Sequence, residues 1–199
     1  MALEDDMLGM LEQLEAGKKQ ATILLLSQLW DHHMDSYNHC VQVGLKSLEA
    51  SRFLGYNGGQ MFFAGLLHDI GKLKVDVKIL DRHVPFGEEE YRIIQSHPAE
   101  GYAKVRPLFP FEAEVLLRHH KFCKRSYPEK FPEPVNPNGF DMNLIESYAR
   151  LLGVIDYYSS MQRHDGYPYP EGNKMQKIMQ ERSGMDEIIR RLFDANILA

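Results

Sequence analysis

Apolar residues in this chain recur at intervals of three and four. Leu3, Met7, Met10, Leu11 and Leu14 keep that spacing, as do Tyr37, Val41, Leu45 and Leu48, and no stretch of comparable length alternates in twos. A period near 3.6 gathers apolar groups on one face of a helix, whereas a half-buried strand needs a period of two. The expected fold class is therefore all-α, a helical bundle. Breaks in the pattern divide the helices at Gly55 to Gly59, Val84 to Gly87, Pro107 to Pro110, the Pro-rich stretch Ser126 to Gly139, and Gly166 to Gly172. Ser183 followed by Asp186 has the form of a capping box opening a last helix through Phe193. No internal repeat is visible. The acidic amphipathic stretch from Met1 to about Gly17 carries none of the chemistry-bearing residues discussed below, so residues 1–30 read as an accessory helical segment ahead of a main unit spanning 31–199.

With 199 residues, 44% of them hydrophobic and 26% charged, the chain can bury a sizeable core. Its net charge is -5 and its basic residues are scattered. No dense positive stripe is present, so duplex nucleic acid is not expected as a partner, while a small phosphate ester could still find a local positive site. The longest apolar run, Ala21 to Trp30, is interrupted by Thr22, Ser27 and Gln28 and is too short to span a bilayer. The acidic start "MALEDDML" does not suit a signal peptide, and two cysteines, Cys40 and Cys123, imply no disulfide framework. The expected location is the cytoplasm. A homo-oligomer stays open.

The chemistry lies in histidines and aspartates. In "LLHDIGKL" His68 and Asp69 emerge together from the end of an apolar helical run. Alone, a His-Asp pair is more often a helix cap or a satisfied core pair than a metal site. The company it keeps changes that balance: His39 in "SYNHCVQ", His97 in "QSHPAEGY", His119 and His120 in "LLRHHKF", and Asp156 in "LLGVIDYYSS" each lie in or beside an apolar helical segment. Burying such groups unpaired is costly, and a shared metal site removes the cost.

This set, in this order, resembles the HD superfamily of metal-dependent phosphohydrolases, and within it the HD-GYP branch, known for hydrolysing cyclic di-GMP. The resemblance runs from Asp35 to Gln162. It rests on "LLHDIGKL" for the family's His-Asp-x-Gly-Lys, "HPAEG" for its His-Pro-x-x-Gly, "RHH" for its paired histidines and "GVIDYY" for its late aspartate. It implies two divalent metal ions, one on His39, His68, Asp69 and Asp156 and the other on His97, His119 and His120, with Asp69 bridging them. Iron or manganese is favoured, and zinc or nickel also suits the ligands. Metal-activated hydroxide would then be the nucleophile. Lys72, read as one helical turn beyond His68, would direct its ammonium at the phosphate, although a solvated lysine at a helix end accounts for it equally well. Asp35, four residues before His39, would serve a third metal, although a residue at the surface or one supporting the ligands from behind accounts for it equally well. His32, His33, His83 and His164 match no motif and are expected outside the site.

The resemblance also has gaps. In the HD-GYP branch Gly-Tyr-Pro follows the paired histidines closely, whereas here only Tyr127-Pro128 echoes it. The "DGYP" at Asp165 to Pro168 comes after Asp156 and reads as a turn. Arg163 is a candidate phosphate contact, displaced from the family's arginine. The Pro-rich stretch reads equally as a lid or a connection, and Phe122, Tyr127 and Phe131 as base-stacking or packing aromatics. Three functions follow: a metal-dependent phosphohydrolase acting on a nucleotide or cyclic dinucleotide, an HD-fold di-iron oxygenase, and a non-catalytic signalling or binding module. The His-His pair argues against the second, and the full ligand set against the third.

Overall fold

The computed structural model describes residues 2–81, 87–121, 126–131, 139–162, 172–183 and 185–198. Among them the ordered elements are all helical. In chain order they are α1 (Ala2–Glu12), α2 (Ala16–His32), α3 (Met34–Leu54), α4 (Gly58–Leu67), a 3₁₀ turn (Ile70–Lys74), α5 (Val77–Leu80), α6 (Glu88–Gln95), α7 (His97–Val105), α8 (Pro110–Arg118), α9 (Met142–Met161), α10 (Gly172–Ser183) and α11 (Asp186–Asp194). No helix among the described residues is long and apolar enough to cross a membrane.

The centre of the fold is α3, α4, α8 and α9 packed together, with α7 laid between the 3₁₀ turn and α8. Phe62, Leu66, Leu67, Leu116, Leu117, Leu151, Leu152 and Ile155 are fully buried there. Met10, Leu11, Leu26 and Leu29 of α1 and α2 join the same apolar core.

Helix boundaries follow local chemistry. Asn57 caps α4 by accepting from the Gln60 N–H, and Asp141 caps α9 by accepting from the Asn143 N–H. Pro110 opens α8 and Pro98 lies in the first turn of α7, where a missing N–H leaves no helical bond unmade. Between α2 and α3 the backbone is extended at His33, whose Nδ1 accepts from the Ser36 N–H at 3.1 Å. That acceptance leaves the proton on Nε2, which donates to Asp81 at 3.1 Å. His32 donates to the Val75 carbonyl at 2.9 Å. The two histidines without a motif are thus structural ties; His83 and His164 lie outside the described residues.

Three sequence expectations are corrected. Ser183 closes α10 instead of capping the last helix, which begins at Asp186 behind Met185, so the capping-box reading fails. The apolar stripe on α3 is also offset: its buried face is built from Ser36, His39, Cys40, Val43, Gly44, Ser47 and Leu48, while Tyr37, Val41 and Leu45 flank it, partly buried. Large side chains mark the edge of that face because small ones let α4 approach. Lastly, α4 stops at Leu67, so Lys72 stands on a 3₁₀ turn, not one α-helical turn beyond His68.

Two glycines set how closely the site-bearing segments meet. A Cβ on Gly71 would lie 1.9 Å from the His97 carbonyl oxygen and 2.6 Å from the Gly101 nitrogen. One on Gly153 would lie 2.4 Å from the His119 carbonyl oxygen. Backbone therefore meets backbone between the 3₁₀ turn and α7, and between α9 and the end of α8.

Candidate metal centre

The site forms where helix ends converge. His68 follows α4, His97 begins α7, His119 and His120 follow α8, and His39 and Asp156 face inward from α3 and α9. His39, His68, Asp69, His97, His119 and Asp156 are all buried, and His120 is partly so. Their rings form a continuous array, with centroids 5.1 Å apart for His39 and His68, 5.3 Å for His68 and His119, and 5.2 Å for His97 and His120.

Three of these histidines are held in one way. His68 Nδ1 donates to the Gly65 carbonyl at 2.7 Å, His97 Nδ1 to that of Ile94 at 2.7 Å, and His119 Nδ1 to that of Leu116 at 2.5 Å. A carbonyl can only accept, so each Nδ1 carries a proton and each Nε2 is aimed inward. All three Nε2 atoms are buried and have no hydrogen-bond partner. Orphaned buried nitrogens are costly, and three converging on two carboxylates suit a bound cation. A backbone acceptor on the distal ring nitrogen is the usual support of a metal-bound imidazole.

The ligand atoms fall into two main groups, His39 with His68 and Asp156, and His97 with His119 and His120. Asp69 lies between them. Its Oδ2 is 3.3 Å from His68 Nε2 and 3.9 Å from His39 Nε2, and its Oδ1 is 3.2 Å from His97 Nε2. Asp156 Oδ1 lies 2.8 Å from His39 Nε2 and 3.5 Å from His68 Nε2. Each oxygen of Asp69 thus faces a different group, and the imidazole and carboxylate donors suit divalent cations. Lys72 Nζ meets Asp69 Oδ2 at 2.5 Å, so its closest polar contact is with that carboxylate.

Burial dominates the protonation of most of these rings. It lowers His39 to about 4, His97 to about 3 and His119 to about 4, and holds His120 well below its ordinary value. His68 departs from the rest. Burial acts against its charged form too, but the Asp69 carboxylate, together with the close approach of Asp156 and Cys40, outweighs it and raises His68 well above 6.5. Burial likewise disfavours the charged forms of Asp69 and Asp156. The nearby cations and imidazoles prevail: His68 and Lys72 chiefly for Asp69, and His39 and His68 for Asp156, holding both well below 3.8.

These directions give a pH prediction for chelator-treated protein. His39, His97 and His119 stay neutral when folded, down to about 4, 3 and 4, whereas the unfolded chain protonates its histidines near 6.5. In that window the unfolded state binds more protons, so stability falls as pH falls. The His68 contribution is already complete below 6.5 and is lost only as pH rises through its raised value, so it does not reverse the trend. The two carboxylates add a further loss below about 3.8. Thermal unfolding should show Tm decreasing steadily from pH 6.5 to pH 4. A flat or rising Tm would contradict buried neutral rings.

Of the remaining candidates, Asp35 is exposed in the first turn of α3 and belongs to none of the potential metal-binding groups among the described residues. Arg163, Asp165 to Pro168 and Phe122 lie outside the described residues. The Tyr127 ring stacks on His120 with centroids 4.3 Å apart, and Arg118 lies over the Phe131 ring at 5.0 Å, so the start of the Pro-rich stretch lies against the second group. Two residues escaped the sequence reading. Ser159 Oγ lies 3.2 Å from His39 Nδ1; its place one helical turn after Asp156 was the available signal. Cys40 lies buried beside His68 and Asp69, and only its adjacency to His39 pointed there. A cleft of about 1040 Å³ between α3 and the end of α9 is lined by Ser159, which touches His39, and by Gln42, Lys46, Arg52 and Phe53 among others.

The sequence profile of the HD domain family matches residues 36–161, which contain every candidate ligand except Asp35. The chain belongs to the HD domain family. This HD domain is 25% identical over 154 residues to a cyclic di-GMP phosphodiesterase of Thermotoga maritima, covering 74% of this chain and 39% of the relative. It is 31% identical over 106 residues to the 3'3'-cGAMP-specific phosphodiesterase 3 of Vibrio cholerae, covering 52% of this chain and 21% of the relative. The chain thus spans well under half the length of both. The HD domain of the L. monocytogenes phosphodiesterase PgpH, solved in complex with cyclic-di-AMP, shares the fold with a TM-score of 0.57 at 18% identity, covering 86% of this chain and 85% of that one.

Proposed function

We propose that this HD domain is a metal-dependent phosphohydrolase that cleaves a phosphate ester of a nucleotide, with a cyclic dinucleotide as the favoured class. The observation that carries the reading is the division of Asp69, one oxygen toward His68 and His39 and the other toward His97. The named substrates of the relatives, cyclic di-GMP and 3'3'-cGAMP, and the cyclic-di-AMP bound by PgpH support the substrate class. His119 and His120 standing together with His97 supply the joint pair that an oxygenase pattern lacks.

In this reading His39, His68, Asp69 and Asp156 hold one cation and His97, His119 and His120 the other, with iron or manganese favoured. Two bound divalent cations supply Lewis acidity for the phosphoryl oxygen and lower the pKa of water from about 15.7 toward 7. The chain's own residues do the rest. Backbone carbonyls at Gly65, Ile94 and Leu116 fix the Nδ1 protons, so Nε2 of His97 and His119 needs no rearrangement, while His68 gives up its Nε2 proton when a cation binds. Burial keeps His39, His97 and His119 neutral at pH 7 and leaves the Nε2 lone pairs of His97 and His119 available. Lys72 anchors the Asp69 carboxylate and places a positive charge beside the phosphate, where it offsets charge in the transition state. Arg163 is assigned to the substrate phosphate on its sequence position, and residues 1–30 act as an accessory segment to the domain.

The test is elemental analysis of protein purified without chelator, paired with assays on bis-p-nitrophenyl phosphate and on cyclic di-GMP, 3'3'-cGAMP and cyclic-di-AMP with Mn²⁺ or Fe²⁺. Close to two metals per chain with phosphodiester cleavage is the expected result. No metal under any condition would leave a non-catalytic module. Lys72→Ala should lower turnover by roughly 10²-fold with metal content near that of the parent. Loss of metal in parallel would show that Lys72 acts only by holding Asp69.

A further inference from the structure

We propose that Cys40 is a thiolate donor to the cation held by His68 and Asp69, a soft ligand in a centre otherwise built from imidazole and carboxylate. The inference rests on the metal-centre reading and adds a ligand to it. Cys40 is fully buried on α3. Its Sγ, a ring nitrogen of His68 and a carboxylate oxygen of Asp69 lie within 4.8 Å of one another. The thiol thus borders a carboxylate and an imidazole as well as the apolar core.

A separate observation points to a ligand at this place. His68 Nε2 is completely buried, its tautomer is fixed by the Gly65 carbonyl, and it has no hydrogen-bond partner. Helix geometry lets two consecutive residues take part. Successive side chains on α3 diverge by about 100°. His39 therefore turns to Asp156 and Ser159 on α9, while Cys40 meets His68 at the end of α4.

Cation binding would release the thiol proton to solvent as the sulfur lone pair forms the new bond, because the thiolate is the ligand form. A sulfur donor shifts preference toward iron, cobalt or zinc and away from manganese and magnesium, which favour oxygen. A serine or an aliphatic residue at this position would not impose that bias.

The experiment uses the full chain in a Cys123→Ser background, stripped and reloaded with Co²⁺, with cobalt content measured alongside the absorption spectrum. A near-ultraviolet thiolate-to-cobalt charge-transfer band is expected, and Cys40→Ser should abolish it while retaining bound cobalt. Competition between Co²⁺ and Mn²⁺ should move toward Mn²⁺ by roughly 10-fold in Cys40→Ser. Bound cobalt with no such band in the Cys123→Ser protein overturns the role of Cys40 and leaves the metal centre standing. No bound cobalt overturns both. The spectrum of the Cys123→Ser protein decides the matter even where Cys40→Ser does not fold.

Discussion

Asp69→Ala is expected to empty both halves of the centre together, lowering phosphodiester cleavage by on the order of 10³-fold or more, with helical content near that of the parent. The carboxylate has one oxygen 3.3 Å from His68 Nε2 and the other 3.2 Å from His97 Nε2, so removing it takes a donor from each group. The fold should tolerate the loss. Asp69 lies in the turn between α4 and the 3₁₀ segment, makes no helix cap, and is opposed by Lys72 and His68. Once the carboxylate is gone, His68 can release its proton and Lys72 can reach solvent, which limits the cost of leaving charge behind. Elemental analysis, circular dichroism and turnover on one preparation would check this. Full metal content with full activity would overturn the bridging role, and loss of a single metal would confine Asp69 to one half.

Gly71→Ala should be the most damaging alanine replacement among the described glycines. The added carbon would lie 1.9 Å from one backbone atom of α7 and 2.6 Å from another, and no rotamer change relieves a clash with backbone. The 3₁₀ turn must move away from α7 by more than an ångström, at a cost of about 3–5 kcal/mol, within the range reserved for severe core disruption. At about 2–4 °C per kcal/mol for a chain of this size, Tm should fall by roughly 10 °C. Since Asp69 lies two residues away, its contact with His97 should loosen as well, so the surviving folded protein should bind metal more weakly. An unchanged Tm would mean that turn and helix are not in backbone contact.

What could be read from the sequence was mostly side-chain chemistry. His68-Asp69, His97, His119-His120 and Asp156 carry distinctive groups inside apolar stretches, and the structure brings all of them together with His39. The all-α class was equally legible, because the 3.6-residue period shows in the stretches that form α1 and α3. Much less was visible where a contact depends on what a residue lacks. Gly71 and Gly153 read as ordinary small residues, since their importance comes from the distance to another segment's backbone. The same applies to α3, where Tyr37, Val41 and Leu45 draw the eye while Gly44 and Ser47 lie in the buried face. The Ser183 reading failed for a related reason: cap chemistry in a sequence becomes a cap only if the helix starts there, and α10 runs through it.

The contact at Gly153 has a consequence for metal choice. It seats α9, which carries Asp156, against the chain at His119, just as Gly71 seats the turn carrying Asp69 against His97. The two halves of the centre are therefore spaced by the polypeptide skeleton, not by side chains free to swing. A rigid gauge of this kind compares ionic radii. On the two-metal reading proposed above, cations of the fitting size would be bound without reorganisation, and larger ones would have to stretch their bonds.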